Sequence, residues 1–167
     1  MSRNLSDKLE MYLKTVLLLE RNRGTVRVSD IARERGVSAA SVTEAITTLQ
    51  ERGFILHRAY RGVRLSAEGR RTAERIEERY RVLSHFLTDV LGVNAAIGAR
   101  DACEIEHVAS PETIDRLDAF LQYMQHCRMN VSEIIAHFKD YYALRAHGDV
   151  CAECALGKLA PPMGEPQ

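Results

Sequence analysis

The run from Ser29 to Leu65 restricts the fold more than any other part of the chain. Ser29 is a natural N-cap for a short helix over Asp30–Arg35, and Gly36 stands where a helix needs a left-handed terminator. Ser38 can cap the next helix, Ala39–Arg52, whose buried stripe is Val42, Ile46 and Leu49. A Ser41-x-x-Glu44 pair offers an alternative start one turn later. Gly53–Arg58 reads as a strand, Ala59–Gly62 as a turn and Val63–Leu65 as the return strand, with Arg58, Arg61 and Arg64 at the tip of the hairpin. Two short helices joined through a glycine, then a basic hairpin, make a winged helix-turn-helix. Such a unit inserts its third helix into the major groove of double-stranded DNA and holds phosphates or the minor groove with the wing. The exposed side of that helix is Ala39, Ala40, Thr43, Glu44 and Thr47, all small or hydrogen-bonding. Arg27, just ahead of the second helix, is grouped with the wing arginines as a DNA-contacting candidate.

The flanks are helical. Leu5, Leu9, Tyr12, Val16 and Leu19 form the stripe of a first helix over about Leu5–Arg21, and Thr25–Val28 is β-branched and extended. Met11 lies about 200° from Leu9 around that helix, away from its stripe and on a face with Leu18. Ser66 caps a long helix to about Leu91, in which Ile76, Tyr80, Leu83, Leu87 and Val90 suit packing along another helix, within the chain or across a dimer. Gly92-Val93-Asn94 breaks it, and a helix through Cys103 follows. Ser110-Pro111 opens the next, with the stripe Ile114, Leu117, Leu121 and Met124. The last begins at Ser132, turns Ile134, Phe138 and Tyr141 inward, and closes near His147-Gly148. The expected architecture is mainly α: a DNA-binding domain over residues 1–69, a helical domain over 70–147, and a mobile Cys-containing tail over 148–167.

The net charge of zero conceals a polarity. Residues 1–80 hold 16 Lys/Arg against 11 Asp/Glu, and residues 81–167 hold 7 against 12. A basic half joined to an acidic one suits a module that meets a polyanion beside one with another task. The longest uncharged apolar run, Val16–Leu19, is far too short for a bilayer, and Met1-Ser2-Arg3-Asn4 has no signal-peptide character. The expected location is cytoplasmic, where cysteines serve as thiols or metal ligands.

One helical stretch has the residue types of a metal site. In Asp101-Ala-Cys-Glu-Ile-Glu-His107, the residues Cys103, Glu106 and His107 stand at i, i+3 and i+4 and share a face. A thiolate, a carboxylate and an imidazole together suit a divalent transition metal of intermediate softness. A thiol enzyme would set Cys103 and His107 across a pocket, not beside each other on one helix, so the spacing argues against such an enzyme; no enzymatic activity and no small organic substrate are expected.

Three pieces of the chain carry a family resemblance: Glu10-Met11-Tyr12-Leu13, the winged helix over Val28–Gly69, and Cys103-Glu-Ile-Glu106-His107-Val108. Across about residues 5–125 the chain resembles the diphtheria-toxin-repressor family of iron- and manganese-dependent transcriptional regulators. The resemblance implies a homodimer formed through the helical domain, and one metal held by Met11, Cys103, Glu106 and His107. It also places Ser38, Ala40, Ser41, Thr43 and Glu44 where relatives touch DNA. A thioether and a thiolate in the set favour Fe(II) over Mn(II), with another divalent transition metal as a further possibility. The function implied is an Fe(II)-dependent repressor of metal-uptake genes. A Mn(II)-responsive regulator, or a metal-independent or redox-sensing one using Cys127, Cys151 and Cys154, is the alternative.

Departures from the family pattern sharpen these expectations. The second metal site of some members takes ligands at positions that read Tyr80, Ser84 and Ala99 here, so that site should be missing or rebuilt, with His85 a weak substitute. The manganese-type members place acids where this chain has Met11, Lys14 and Cys103. No SH3-like third domain is expected. Glu44 replaces a base-reading glutamine, which points to a different operator. Cys151-Ala-Glu-Cys154, with Cys127 and either His126 or His147, has the makings of a structural Zn or Fe–S site.

Overall fold

A computed structural model describes residues 5–58, 62–126 and 130–146. The elements run α1 (Asp7–Arg23), α2 (Val28–Arg35), α3 (Ala39–Glu51), β1 (Ile55–Arg58), β2 (Gly62–Leu65), α4 (Ala67–His85), α5 (Ala95–Val108), α6 (Pro111–His126) and α7 (Val131–Ala146). Two compact units are formed. Among the described residues, one comprises those up to Arg81 together with Cys103–Ala109, and the other comprises Val82–Ala102 and those from Ser110 to Ala146. Among the described residues no helix is long and apolar enough to cross a membrane.

The first unit is a winged helix built around α1. Gly36 takes φ 64°, and the N–H of Val37 donates to the Ala32 carbonyl at 3.1 Å, so α2 ends in the left-handed turn the glycine permits. The Ser38 hydroxyl then accepts from the Ser41 N–H at 3.2 Å and starts α3 as expected. The beginning of α2 differs from expectation. Val28 is already helical, because the Asp30 carboxylate reaches back to accept the Arg27 N–H at 3.1 Å and so moves the cap two residues upstream of Ser29. Only Val26 keeps extended pairing, bridged to Val63.

The wing pairs antiparallel, Ile55 with Leu65 and Arg58 with Gly62. Arg64 therefore lies opposite Leu56, within the strand and exposed, and not at the tip where the sequence places it. Arg61 lies outside the described residues. Under the wing, Leu13, Val16 and Leu17 of α1 meet Ile31, Val42, Ile46, Leu49, Ile55 and Val63 in one core. Leu13 and Leu17 fall off the single stripe read from the sequence. They are fully buried because α1 contacts α2, α3 and β2 on more than one side.

Ser66 caps α4 as expected, accepting from the Gly69 N–H at 2.9 Å. The long helix does reach the Leu91 region, but through a widened π turn over Phe86–Val90. In the second unit, Ser110 caps α6, and Ile114 and Leu121 are buried. Helix α7 starts at Val131, and its cap is Asn130, two residues before the expected Ser132; the Asn130 carbonyl accepts from the N–H groups of Glu133 and Ile134. Ile134 and Phe138 are exposed within the single chain, not turned inward.

Candidate metal centre

Helix α5 presents its three donors as the spacing requires: the ligand atoms of Cys103, Glu106 and His107 all lie within 4.8 Å of one another. The packing of α1 supplies the fourth member. Met11 Sδ is 3.6 Å from Cys103 Sγ, although 92 residues separate them in the chain. Four donors of the types expected from the sequence thus meet within the first unit.

Glu106 shows the site's electrostatic character. It is only 2% exposed, and neither carboxylate oxygen has a hydrogen-bond partner among the described residues. Lys14 stands beside it as a counter-charge, 3.5 Å from Oε1. Burial raises the Glu106 carboxyl above the ordinary carboxylate range, against the opposing pull of Lys14 and His107. Burial, then the Glu106 charge, likewise raises the Cys103 thiol, with Lys14 and Arg35 pulling it down. A buried acid with unpartnered oxygens beside a thiol is an arrangement that a divalent cation completes: it compensates the acid and stabilises the thiolate. The residues present fit the metal.

The orientation of His107 depends on a residue to which the sequence reading assigned no role. Glu10 Oε2 lies 3.1 Å from Nδ1, while Nε2 faces Glu106 Oε1 at 3.9 Å. A carboxylate that accepts the Nδ1 proton fixes the ring's tautomer and orientation and leaves the Nε2 lone pair free toward the cluster. The available signal was helical spacing, since Glu10 and Lys14 stand one turn apart on α1, but only the long-range docking shows what they face. Glu10→Ala is expected to weaken metal binding about 10- to 100-fold while leaving the chain folded. Titration against a competing chelator dye would measure this; unchanged affinity would remove Glu10 from the positioning role.

The remaining sites are placed unevenly. Ser38, Ala40, Thr43 and Glu44 are exposed along the start of α3, and Ser41 is half-buried. The hydroxyls of Thr43 and Thr47 donate to carbonyls of their own helix, which leaves them as acceptors toward a ligand. Arg27 is exposed, and the Arg58 side chain lies outside the described residues. So do Cys127, Cys151, Cys154 and His147, and with them most of the second cysteine site; His126 is exposed at the end of α6. His85 lies 3.3 Å from Asp89, four residues on along its own helix.

Comparison with known proteins matches both parts of the chain to domain families. Residues 4–63 match the N-terminal DNA-binding domain of the iron-dependent repressors, and residues 66–134 match their metal-binding and dimerisation domain. The chain is 31% identical over 126 residues to the HTH-type transcriptional regulator MntR of Shouchella clausii (strain KSM-K16), covering 75% of this chain and 87% of that protein. Among solved structures, the manganese regulator SloR superposes with a TM-score of 0.62 at 29% identity, over 69% of this chain and 54% of its own. The IdeR protein of T. acidophilum superposes with a TM-score of 0.62 at 26% identity, over 72% of this chain and 55% of its own. The chain spans about half the length of these solved relatives.

Proposed function

Since the chain belongs to the diphtheria-toxin-repressor family of metal-dependent, DNA-binding transcriptional regulators, we propose that it is a homodimeric repressor switched on by Fe(II), held by Met11, Cys103, Glu106 and His107. The observation that carries this reading is the meeting of α1 and α5 in a single donor cluster, on the same unit as the winged helix. When bound, the metal supplies charge compensation for Glu106 and a link between two helices distant in sequence. The chain's own residues do the rest. Glu10 orients His107, α1 carries Met11 to the cluster, and the core beneath α1 makes its position felt by α3 and the wing.

DNA recognition is assigned to Ser38, Ala40, Ser41, Thr43 and Glu44 on α3, with Arg27, Arg58, Arg61 and Arg64 on phosphates. The function is then a population shift. A metal that binds the DNA-competent arrangement about 100-fold tighter than other arrangements favours it by about 2.7 kcal/mol. In a homodimer that arrangement sets the spacing of the two α3 helices to one helical turn of DNA or a multiple of it.

The thioether and thiolate support iron. Two of the related proteins are named for manganese regulation or as MntR, which makes Mn(II) the second reading. The deciding experiment is anaerobic binding to a duplex selected from a random pool, with Fe(II), Mn(II) or chelator, for the wild type and Cys103→Glu. The expected result is tight binding with Fe(II), weaker with Mn(II), none with chelator, and a shift toward Mn(II) in Cys103→Glu. Equal binding in chelator would overturn the switch, and a wild-type preference for Mn(II) would overturn the choice of iron.

A further inference from the structure

The least expected group at the site is a cation. Lys14 is only 9% exposed, with its ammonium 3.5 Å from Glu106 Oε1 and 3.4 Å from the centre of the Tyr80 ring. Buried lysines are rare unless paired, and this one is paired twice, to a carboxylate and to an aromatic face. It lies one helical turn beyond Glu10 and Met11, so all three are carried to the cluster by the same face of α1.

The charges around the cluster give this cation a consequence. The Cys103 thiolate and the carboxylates of Glu106 and Glu10 contribute three negative charges, and Lys14 contributes one positive charge. Counting these groups alone, one divalent ion brings the sum to zero and a second would leave two uncompensated positive charges, while Asp7, 4.0 Å from His107 Nδ1, stands on the solvent side of the cluster. Such an excess is strongly disfavoured at low effective dielectric. The ammonium also shares Glu106 with any metal that binds there, and like charges near one carboxylate oppose each other. The Tyr80 face gives the ammonium an alternative partner, so it need not leave the site when the metal arrives.

We propose that Lys14 is a specificity-determining residue: a built-in cation that limits the site to one divalent ion and lowers its affinity for that ion. This rests on the metal-sensor reading above and goes beyond it, because that reading requires only the donor residues. Lys14 keeps Glu106 compensated while no metal is bound and, by opposing the metal, places the response at a higher free-metal concentration.

The test counts and titrates Mn(II), chosen for its air stability and its magnetic resonance signal. Wild type is expected to bind one Mn(II) per chain. Lys14→Met, which keeps the aliphatic stem and removes the charge, is expected to bind it at least about ten-fold tighter, roughly 1.4 kcal/mol. The same variant should have a lower thermal midpoint in chelator, since Glu106 is then uncompensated. A side chain of merely structural importance would weaken metal binding when removed, so the direction is diagnostic. Lys14→Arg should behave as wild type, and Lys14→Glu should bind two Mn(II) per chain. Lys14→Gln carries the affinity test if Lys14→Met does not fold. Affinity in the neutral variant equal to or weaker than wild type, or one Mn(II) in Lys14→Glu, overturns the proposal. Wild type that binds no Mn(II) or Fe(II) overturns the metal-sensor reading instead.

Discussion

Glu106→Gln is expected to lose at least about 100-fold in metal affinity, equivalent to roughly 2.7 kcal/mol, and with it the metal dependence of DNA binding. The substitution keeps the shape of a side chain that is almost wholly buried and removes only its charge. Its pH behaviour separates the electrostatic account from simple disruption. Burial raises the folded-state Glu106 pKa, so the metal-free chain holds the neutral acid more readily than the unfolded chain does. The stability this contributes is present below the ordinary carboxylate range and is lost as pH rises through the raised value. In chelator, wild type should therefore lose stability relative to Glu106→Gln as pH rises from the ordinary carboxylate range through the raised value. With metal present the trend reverses, because Glu106 and the raised Cys103 thiol must both release protons to bind it. Urea midpoints across that range, with and without metal, measure both slopes. Parallel curves in chelator would show that the Glu106 charge does not strain the metal-free fold.

Gly69→Ala is expected to destabilise the winged helix by about 3 kcal/mol. The sign is the informative part, since alanine in a helix is ordinarily better than glycine by about 0.5–1 kcal/mol. Gly69 lies in the first turn of α4, where a Cβ would land on the carbonyl oxygen of Phe54. That carbonyl accepts the Ser66 N–H at 2.9 Å, and the Ser66 hydroxyl donates to Gly53 at 2.7 Å, so α4 is joined to the chain entering β1 backbone against backbone. Neither side can yield as a flexible side chain would. Urea denaturation in chelator checks this, and a midpoint at or above that of wild type would mean that the helix end moves away without loss.

These two residues differ in how far the sequence alone could anticipate them. Glu106 was legible because a helix turns donors at i, i+3 and i+4 onto one face whatever surrounds it. Gly69 was not, because glycine near a helix start carries no signal about what approaches it from a segment fifteen residues earlier. The same division runs through the core. The Val42–Ile46–Leu49 stripe follows from period alone, whereas the burial of Leu13 and Leu17 depends on α1 being covered from more than one side.

By itself the sequence determined what short-range physics controls: the helix–turn–helix spacing through Gly36 and Ser38, the paired strands of the wing, and three donors on one face of α5. Family resemblance added Met11 by position. Only the tertiary structure decided that Met11 Sδ lies 3.6 Å from Cys103 Sγ, that Glu10 reaches His107, and that Lys14 faces Glu106. These contacts join residues more than ninety positions apart. Their existence depends on the docking of α1 through its buried leucines, to which no local propensity or period is sensitive.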